Sequence, residues 1–186
     1  MKTLSIIVPC YNSADYMERC INSLLLGGNQ VEIILVDDGS HDQTPQIVND
    51  YEQAFPTIVK AIHQSNGGHG QAINAGLRRV TGQYVKVVVS DDWLDAIAYH
   101  KMLSFLNTRL TATNELDMVI SNFTYEKVGA KHKKSMRYPF LPEAAMFTWQ
   151  TVHFPRGKYL LMHSVIYRTS LVIDEAKLVL PKHTFY

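Results

Sequence analysis

Short apolar runs that alternate with helix-patterned segments constrain the fold of this chain more than any other feature. The predicted strands cover residues 4–8, 31–36, 58–62, 84–89 and 118–121. Helical spacing of apolar residues follows each of the first four strands, beginning near Ser13, Thr44, Gly70 and Ala96. Strands that are apolar throughout are typical of sheets covered on both faces. The sequence therefore predicts an α/β fold, a doubly wound and mostly parallel sheet with helices on both faces.

The strand and helix rhythm stops near residue 125. A basic stretch, three prolines (Pro139, Pro142 and Pro155) and short aromatic segments follow, without a clear helix until about residue 170. The sequence thus predicts a sheet-containing part at residues 1–125 and a short irregular segment at residues 126–186. A length of 186 residues suits one domain with a small appendage.

Composition excludes several classes of function. Lysine and arginine number 18 against 17 acidic residues, so the chain lacks the basic excess of a dedicated nucleic-acid binder. Cys10 and Cys20 form neither a disulfide framework nor a C-x-x-C metal motif, which predicts a reducing, cytoplasmic setting. No apolar run approaches the roughly 20 residues of a membrane-spanning helix, so any membrane contact is expected to be peripheral, on the inner face.

A basic cluster follows the predicted boundary. Lys131, Lys133, Lys134 and Arg137 are interpreted first as a solvated loop, with contact to an anionic membrane or an acidic lipid-linked acceptor as the alternative.

Polar residues follow each of the first four predicted strands. They are Pro9-Cys10-Tyr11-Asn12, Asp37-Asp38-Gly39-Ser40, Asn66-Gly67-Gly68-His69-Gly70 and Ser90-Asp91-Asp92-Trp93. Open parallel sheets bind ligands outside the carboxyl ends of their strands, so these residues are expected to share one edge.

Two pairs of adjacent carboxylates at that edge repel one another unless a cation or hydrogen-bond donors offset the charge. Asp38 and Asp91 can accept hydrogen bonds from a base or ribose, and Asp92 can hold Mg²⁺ or Mn²⁺ bridging to phosphates. A nucleoside diphosphate fits this set. The alternative is that Asp37, Ser40 and Asp42 are only turn and helix-cap residues.

Three motifs resemble those of the family 2 glycosyltransferases. IIVPCYN matches an apolar strand followed by V-P-x-Y-N, residues 36–44 match V-D-D-G-S-x-D-x-T, and residues 66–76 match N-x-G-x-x-x-A-x-N-x-G. The resemblance is close over residues 4 to about 110 and looser to the end. It implies the GT-A fold, a Rossmann-like sheet with a short irregular acceptor-side segment. It also implies inverting transfer from a nucleotide sugar, most simply a UDP-sugar, to a saccharide or lipid-linked acceptor in bacterial polysaccharide or surface-glycan synthesis.

The resemblance also implies roles for individual residues. Pro9, Tyr11 and Asn12 would frame the base pocket, and Asp38 would contact the uracil edge. Asp92 is the predicted metal ligand, with Asp91 at the ribose or as a second ligand. The residues predicted to bind the nucleotide sugar are Pro9, Tyr11, Asn12, Asp37, Asp38, Asn66, Gly67, Asn74 and Asp91.

Two departures from the family pattern affect the expected chemistry. Family members usually show Asp-x-Asp-Asp after the fourth strand, where this chain has Val89-Ser90-Asp91-Asp92, so one carboxylate is missing. The family's catalytic base follows a segment like HTFY and is expected beyond Tyr186. The 186 residues are therefore expected to bind a donor but to transfer little, with Asp174, Glu175 and His183 as the fallback candidates for the base.

Other functions are less consistent with the sequence. A non-catalytic nucleotide-sugar-binding or scaffolding module is the main alternative. The glycines near residue 68 do not form the G-x-G-x-x-G of a dinucleotide oxidoreductase, and the histidines lack metal-ligand spacing. Trp93 and Trp149 are interpreted as packing residues, with sugar stacking as the alternative.

Overall fold

The computed structural model describes residues 1–110, 116–126, 129 and 132–182. The chain divides into two compact units. The first comprises Met1–Met118 and the chain from Ile166 onward, and the second comprises Val119–Val165. The sequence-based boundary near residue 125 separates a donor-binding from an acceptor-side role, and that assignment stays a prediction.

Strands and helices alternate through the first unit, as the apolar pattern predicts. In chain order they are β1 (Leu4–Cys10), α1 (Met17–Leu25), β2 (Val31–Asp37), α2 (Thr44–Ala54), β3 (Val59–His63), α3 (His69–Leu77), β4 (Tyr84–Val87) and α4 (Ala96–Leu110). The later strands are β5 (Met118–Ile120), β6 (Phe123–Tyr125), β7 (Lys134–Met136) and β8 (Val165–Arg168). A π-helical turn at Leu171–Glu175 follows β8.

Six strands form one sheet in the order β3-β2-β1-β4-β8-β5. The pairs β1–β2, β1–β4 and β2–β3 are parallel, and β8 is antiparallel to β4. Cys10 lies opposite Asp37, which in turn lies opposite His63. The carboxyl ends of β1, β2 and β3 are therefore level with one another, which confirms the predicted sheet and the common edge for these three strand ends.

The centre of the sheet is covered on both faces. Every residue of β1 and β2 is buried, which explains why both strands are almost continuously apolar. Helix α3 packs very close to β1, because a Cβ atom added at Gly76 would lie 2.5 Å from Cγ2 of Ile7. Glycine at this position brings the helix, and with it the loop before the helix, close to the sheet.

Several element boundaries differ from the sequence-based predictions. The fourth strand ends at Val87 and not at residue 89. Helix α1 was expected to begin near Ser13, but it begins at Met17 and has no side-chain cap. Strands β6, β7 and β8 were not predicted. Short strands of mixed composition carry little periodic signal, and the pairing of β8 with β4 is a long-range contact.

The second unit contains the antiparallel pair β6–β7 and an aromatic cluster. Phe140 contacts Tyr138 and Phe154 edge to face, with ring centroids 6.0 and 5.0 Å apart, and Trp149 lies 5.9 Å from Phe154. Trp149 has 55% of its surface exposed and contacts this cluster through Phe154, so its interpretation as a packing residue stays a prediction. No helix among the described residues is long and apolar enough to cross a membrane.

Candidate functional site

The turn after β2 is fixed by its first aspartate. Asp37 is buried, and its Oδ1 accepts a hydrogen bond from the backbone amide of Ser40 at 3.0 Å. Its Oδ2 lies 3.0 Å from Nδ1 of His63, whose Nε2 lies 2.8 Å from Oδ1 of Asn49. Gly39 has φ +73°, and a Cβ there would lie 2.8 Å from the amide nitrogen of Asn66. The D-D-G-S turn is therefore packed directly against the loop after β3.

Asp38 organises that neighbouring loop. Its Oδ1 accepts hydrogen bonds from Nε2 of Gln64 at 2.7 Å and from the amide of Gly67 at 2.8 Å. Its Oδ2 accepts one from the amide of Gly68 at 2.8 Å. An ionised carboxylate offers about four acceptor positions, so three donors leave one position on Oδ2. Asp38 is buried, and its backbone amide is bonded to the carbonyl of Cys10 at 2.9 Å.

The segment after β1 is tied to the D-D-G-S turn by reciprocal hydrogen bonds. Asn12 has φ +48°, its amide donates to Oγ of Ser40 at 2.9 Å, and its Oδ1 accepts from the amide of His41 at 2.9 Å. Its neighbour Tyr11 has 47% of its surface exposed. The side chain of Tyr11 is thus open to solvent on a backbone that the neighbouring turn holds in place.

Ser13 links the segment after β1 to the start of α2 and to the segment after β4. Its amide donates to Oγ1 of Thr44 at 2.8 Å, and its hydroxyl lies 2.9 Å from the hydroxyl of Ser90. All three residues are buried. A further link comes from Asp42, whose carboxylate accepts hydrogen bonds from the amides of Thr44 and Ala14. Burial raises the pKa of Asp42, but the hydrogen bonds to its carboxylate together outweigh this effect and lower the pKa.

Helix α1 supports the segment after β4. The thiol of Cys20 lies 3.6 Å from the carbonyl of Val89, and Oγ of Ser23 accepts a hydrogen bond from the amide of Leu94 at 3.1 Å. The guanidinium of Arg19 lies 3.3 Å from the centroid of the Trp93 ring. One face of Trp93 is therefore covered by a cation, which favours the packing interpretation of this tryptophan.

Asp91 is exposed and Asp92 is half-buried at this strand end. Lys86 of β4 is buried, and burial lowers its pKa to about 8 while the charge of Asp92 acts in the opposite direction. The charge of this buried lysine compensates part of the negative charge of Asp92. Val89 stands at the position of the missing acid and adds no negative charge to this edge.

The metal prediction rests on these two carboxylates. Within the described ranges, no group of three or more histidine, cysteine, aspartate or glutamate side chains could hold a metal ion. Mg²⁺ and Mn²⁺ favour oxygen ligands, and Mg²⁺ usually takes one or two carboxylates together with waters and substrate phosphates. Asp91 and Asp92 fit such a partial set, which a bound diphosphate would complete.

Asn74 is placed differently from the other predicted site residues. It lies on α3 with 5% of its surface exposed, and its side chain is hydrogen-bonded to the backbone of Leu180 in both directions. Its predicted contact with the donor stays a prediction. Asn66 is exposed and Gly67 is half-buried in the loop that Asp38 holds.

The order of these site elements and the sheet agree with one protein family. The sequence matches the family model for glycosyl transferase family 2 over residues 5–170. The chain belongs to glycosyl transferase family 2. The resemblance of its three motifs to this family is thereby confirmed.

Similar proteins place this family 2 glycosyltransferase among bacterial members. It is 30% identical to the uncharacterized glycosyltransferase EpsJ of Bacillus subtilis (strain 168), over 92% of this chain and 51% of that protein. It is 29% identical to the poly(ribitol-phosphate) beta-N-acetylglucosaminyltransferase TarS of Staphylococcus aureus (strain Mu50 / ATCC 700699), over 94% of this chain and 29% of that protein. The chain thus spans about half of EpsJ and less than a third of full-length TarS.

Solved structures of S. aureus TarS 1-349 confirm the GT-A fold. The crystal structure of its complex with UDP has a TM-score of 0.73 at 28% identity and covers 98% of this chain and 51% of that one. The complex with UDP-GlcNAc has a TM-score of 0.71 at 29% identity, covering 95% of this chain and 48% of that one.

The structure brings most of the predicted site residues of this family 2 member to neighbouring strand ends. Hydrogen bonds join Asn12 to the D-D-G-S turn and Asp38 to the loop at residues 64–68. Sequence analysis missed the linking roles of Ser13 and Gln64 and the buried charge of Lys86. Ser13 lies one residue after a recognised motif, so its position was the available signal, but nothing in the local sequence predicted its bond to Ser90, 77 residues away.

Proposed function

We propose that this chain forms the nucleotide-sugar-binding part of a glycosyltransferase. The enzyme would transfer a sugar from a UDP-sugar to a saccharide or lipid-linked acceptor, with inversion at the anomeric carbon. The observation that carries the proposal is the network in which Asp37, Asp38 and Asn12 connect three parallel strand ends at one edge. Similarity to the UDP and UDP-GlcNAc complexes of TarS supports a uridine nucleotide as the donor.

Donor binding would use the exposed and the buried residues of this edge differently. Tyr11 and Asn66 are exposed and would contact the donor with their side chains. Asp38 would present its remaining acceptor position on Oδ2 to the base, while its other hydrogen bonds hold the loop at residues 64–68. Asp37 and Pro9 are buried and would act by fixing the backbone.

Asp92, with Asp91, would hold a divalent cation, Mg²⁺ or Mn²⁺. A cation held there supplies positive charge that offsets the charge on the diphosphate of the donor. Lys86 is buried, and Asp92 contributes to its electrostatic environment. It would limit the repulsion between the two carboxylates before a cation arrives.

Inverting transfer requires that the acceptor oxygen attacks the anomeric carbon from the side opposite the departing diphosphate. A general base takes the acceptor proton in that step. We assign the base to none of the strand-end residues, because Asp37 and Asp38 are buried and engaged in hydrogen bonds. Asp174 and Glu175 lie in the π-helical turn, where Glu175 forms an ion pair with Arg168 at 3.0 Å. His183 lies outside the described residues.

The acceptor is proposed to be anionic or membrane-borne. The chain is proposed to work in polysaccharide or cell-wall glycan synthesis, in the cytoplasm at the inner face of the membrane. Residues 119–165 contain seven lysine or arginine residues against two glutamates, although the whole chain has a net charge of +1. Lys133 forms an ion pair with Glu126 at 2.7 Å, Lys134 lies on β7 and Arg137 follows it. Lys131 lies outside the described residues. Similarity to TarS, a poly(ribitol-phosphate) beta-N-acetylglucosaminyltransferase, supports an anionic acceptor.

Calorimetric titration tests the donor proposal. UDP and UDP-GlcNAc are titrated with and without Mn²⁺, and ADP and GDP serve as base controls. We expect binding of the uridine nucleotides, tighter with Mn²⁺. No binding of any nucleoside diphosphate would disprove the proposal, and a preference for ADP or GDP would disprove the assignment of uracil.

A further inference from the structure

The C-terminal segment, residues 178–182, is held by a polar contact to helix α3. Nδ2 of Asn74 donates a hydrogen bond to the carbonyl of Leu180, and the amide of Leu180 donates one to Oδ1 of Asn74, both at 2.9 Å. The side chain of Leu180 packs against the core that contains residues of α3 and β1. A buried carboxamide with both ends bonded to one residue fixes the path of the backbone there.

A second contact lies at the start of the same helix. Gly68 has φ +85°, and a Cβ atom at this position would lie 2.7 Å from the carbonyl oxygen of Lys182. The space beside Gly68 is therefore occupied by the backbone of the C-terminal segment. The amide of Gly68 is also one of the three donors to Asp38.

These contacts connect two parts of the molecule that are far apart in sequence. Asp38 holds Gly68, Gly68 packs against Lys182, and Asn74 holds Leu180. Any displacement of the loop at residues 64–68 thus changes the surface on which Lys182 rests. Displacement of residues 180–182 likewise removes a backbone contact from the loop.

We propose that Asn74 and Gly68 are positioning residues that couple the donor-site loop, residues 64–68, to the C-terminal segment, residues 178–182. The coupling rests on the proposed function. In this coupling a bound nucleotide stabilises the donor-site loop, and the loop in turn stabilises the C-terminal segment. Coupling between two sites is reciprocal, so the segment stabilises the nucleotide complex by the same factor by which the nucleotide stabilises the segment. In this assignment Asn74 does not touch the donor.

Amide hydrogen exchange measured by NMR tests the coupling. The chain is compared with Asn74→Ala, with Asn74→Asp and with Arg78→Ala, a control at the exposed end of the same helix. Each is measured alone and with saturating UDP and Mn²⁺, and calorimetry gives the affinity for UDP. The amide of Leu178 is an internal control, since it donates to the carbonyl of Val172 and not to Asn74.

Without nucleotide, the Leu180 amide is expected to exchange about tenfold faster in Asn74→Ala than in the parent chain, because a buried hydrogen-bond acceptor is lost. Exchange of the Leu178 amide in Asn74→Ala should change less than twofold. Exchange of the Leu180 amide in the Arg78→Ala control should also change less than twofold. UDP should slow Leu180 exchange about threefold or more in the parent chain and have no such effect in Asn74→Ala. By reciprocity, the affinity of Asn74→Ala for UDP should be about threefold lower than that of the parent chain.

Each contrary outcome points to a distinct failure. Unchanged Leu180 exchange in Asn74→Ala overturns the anchoring role. Binding of UDP without added protection of Leu180 in the parent chain overturns the coupling alone, and a loss of affinity of tenfold or more assigns Asn74 to the donor site. No binding of UDP by the parent chain overturns the proposed function and the coupling together. If Asn74→Ala does not fold, Asn74→Asp decides by the effect of UDP, because it keeps an acceptor for the Leu180 amide and loses the donor to the Leu180 carbonyl. We then expect weaker protection of Leu180 by UDP and lower affinity for UDP than in the parent chain, and parent-level values of both would overturn the positioning role of Asn74.

Discussion

Asp38 accepts a 2.8 Å hydrogen bond from the backbone amide of Gly68, thirty residues further along the chain. This bond joins the end of β2 to the residue before α3, and two further donors, from Gln64 and Gly67, reach the same carboxylate. Asp38 is therefore a structural centre of the proposed donor site as well as a candidate contact for the base.

Replacing Asp38 by asparagine should impair both roles. The variant keeps one acceptor oxygen but presents an amide to donors that were paired with the second oxygen. We expect a loss of about 1–3 kcal/mol in the free energy of unfolding, the usual cost of leaving buried polar groups unpaired. The affinity for UDP should fall about tenfold, with or without Mn²⁺. Urea denaturation and calorimetry measure the two effects, and Asp15→Asn, at an exposed position, is the control. Wild-type affinity in Asp38→Asn would contradict the proposed role.

Asp92→Asn should affect only the binding that depends on metal. Without Mn²⁺ its affinity for UDP should stay within about twofold of the parent chain, because the proposed role of Asp92 is to contact the cation and not the base. With Mn²⁺ the gain in affinity should shrink by about tenfold, equivalent to about 1.4 kcal/mol. Asp91→Asn and the double variant, titrated in the same way, show whether one or both carboxylates hold the cation. Equal losses with and without Mn²⁺ would assign Asp92 to the nucleotide.

Glu32 provides a test of stability at a distance from the site. It is buried on β2 and accepts hydrogen bonds from Nζ of Lys60, Oγ of Ser5 and the amide of Thr81, each at 2.5 Å. Burial raises the pKa of Glu32, but these donors outweigh it and hold the pKa below its ordinary value of 4.5. The folded pKa is thus lower than the unfolded one. The stabilisation is complete above about pH 4.5 and is lost as the pH falls through the folded pKa.

Glu32→Gln should accordingly lower the free energy of unfolding by about 2–4 kcal/mol at pH 7, since it breaks a buried charged network. The difference in free energy of unfolding between Glu32→Gln and the parent chain should become smaller as the pH falls below 4.5. Urea unfolding at pH 7, 5 and 4 measures it, and Glu18→Gln at an exposed position is the control. A difference that does not change with pH would show that the carboxylate charge is not what stabilises the network.

The basic segment of the second unit should respond to charge reversal. Lys133→Glu, Lys134→Glu and Arg137→Glu combined should reduce binding to phosphatidylglycerol vesicles by about tenfold or more, because each basic residue near an anionic surface contributes about 1 kcal/mol. Vesicle sedimentation at low and at 0.15 M salt measures it, with phosphatidylcholine vesicles as the control. UDP affinity should not change. Failure of the parent chain to bind anionic vesicles would exclude the membrane surface and leave an acidic acceptor.

The sequence alone predicted much of the fold because its signals are local. Fully apolar strands such as β1 and β2 can be recognised from their own residues, and so can the turn residues that follow them. The short β8 has no comparable pattern, since it is defined by its pairing with Tyr84 and Val85 across the sheet. Its antiparallel insertion between β4 and β5 therefore emerged only from the structure.

The same distinction holds for the candidate site. The sequence by itself determined which residue types stand at each strand end, and hence the acidic and polar character of the edge. Only the tertiary structure decided which of them are open to a ligand and which serve as internal supports. Asp38 and Asn74 both carry polar side chains in family motifs, but Asp38 holds the loop at residues 64–68 and Asn74 holds Leu180. Such roles depend on partners 30 and 106 residues away, and no local pattern specifies contacts over those distances.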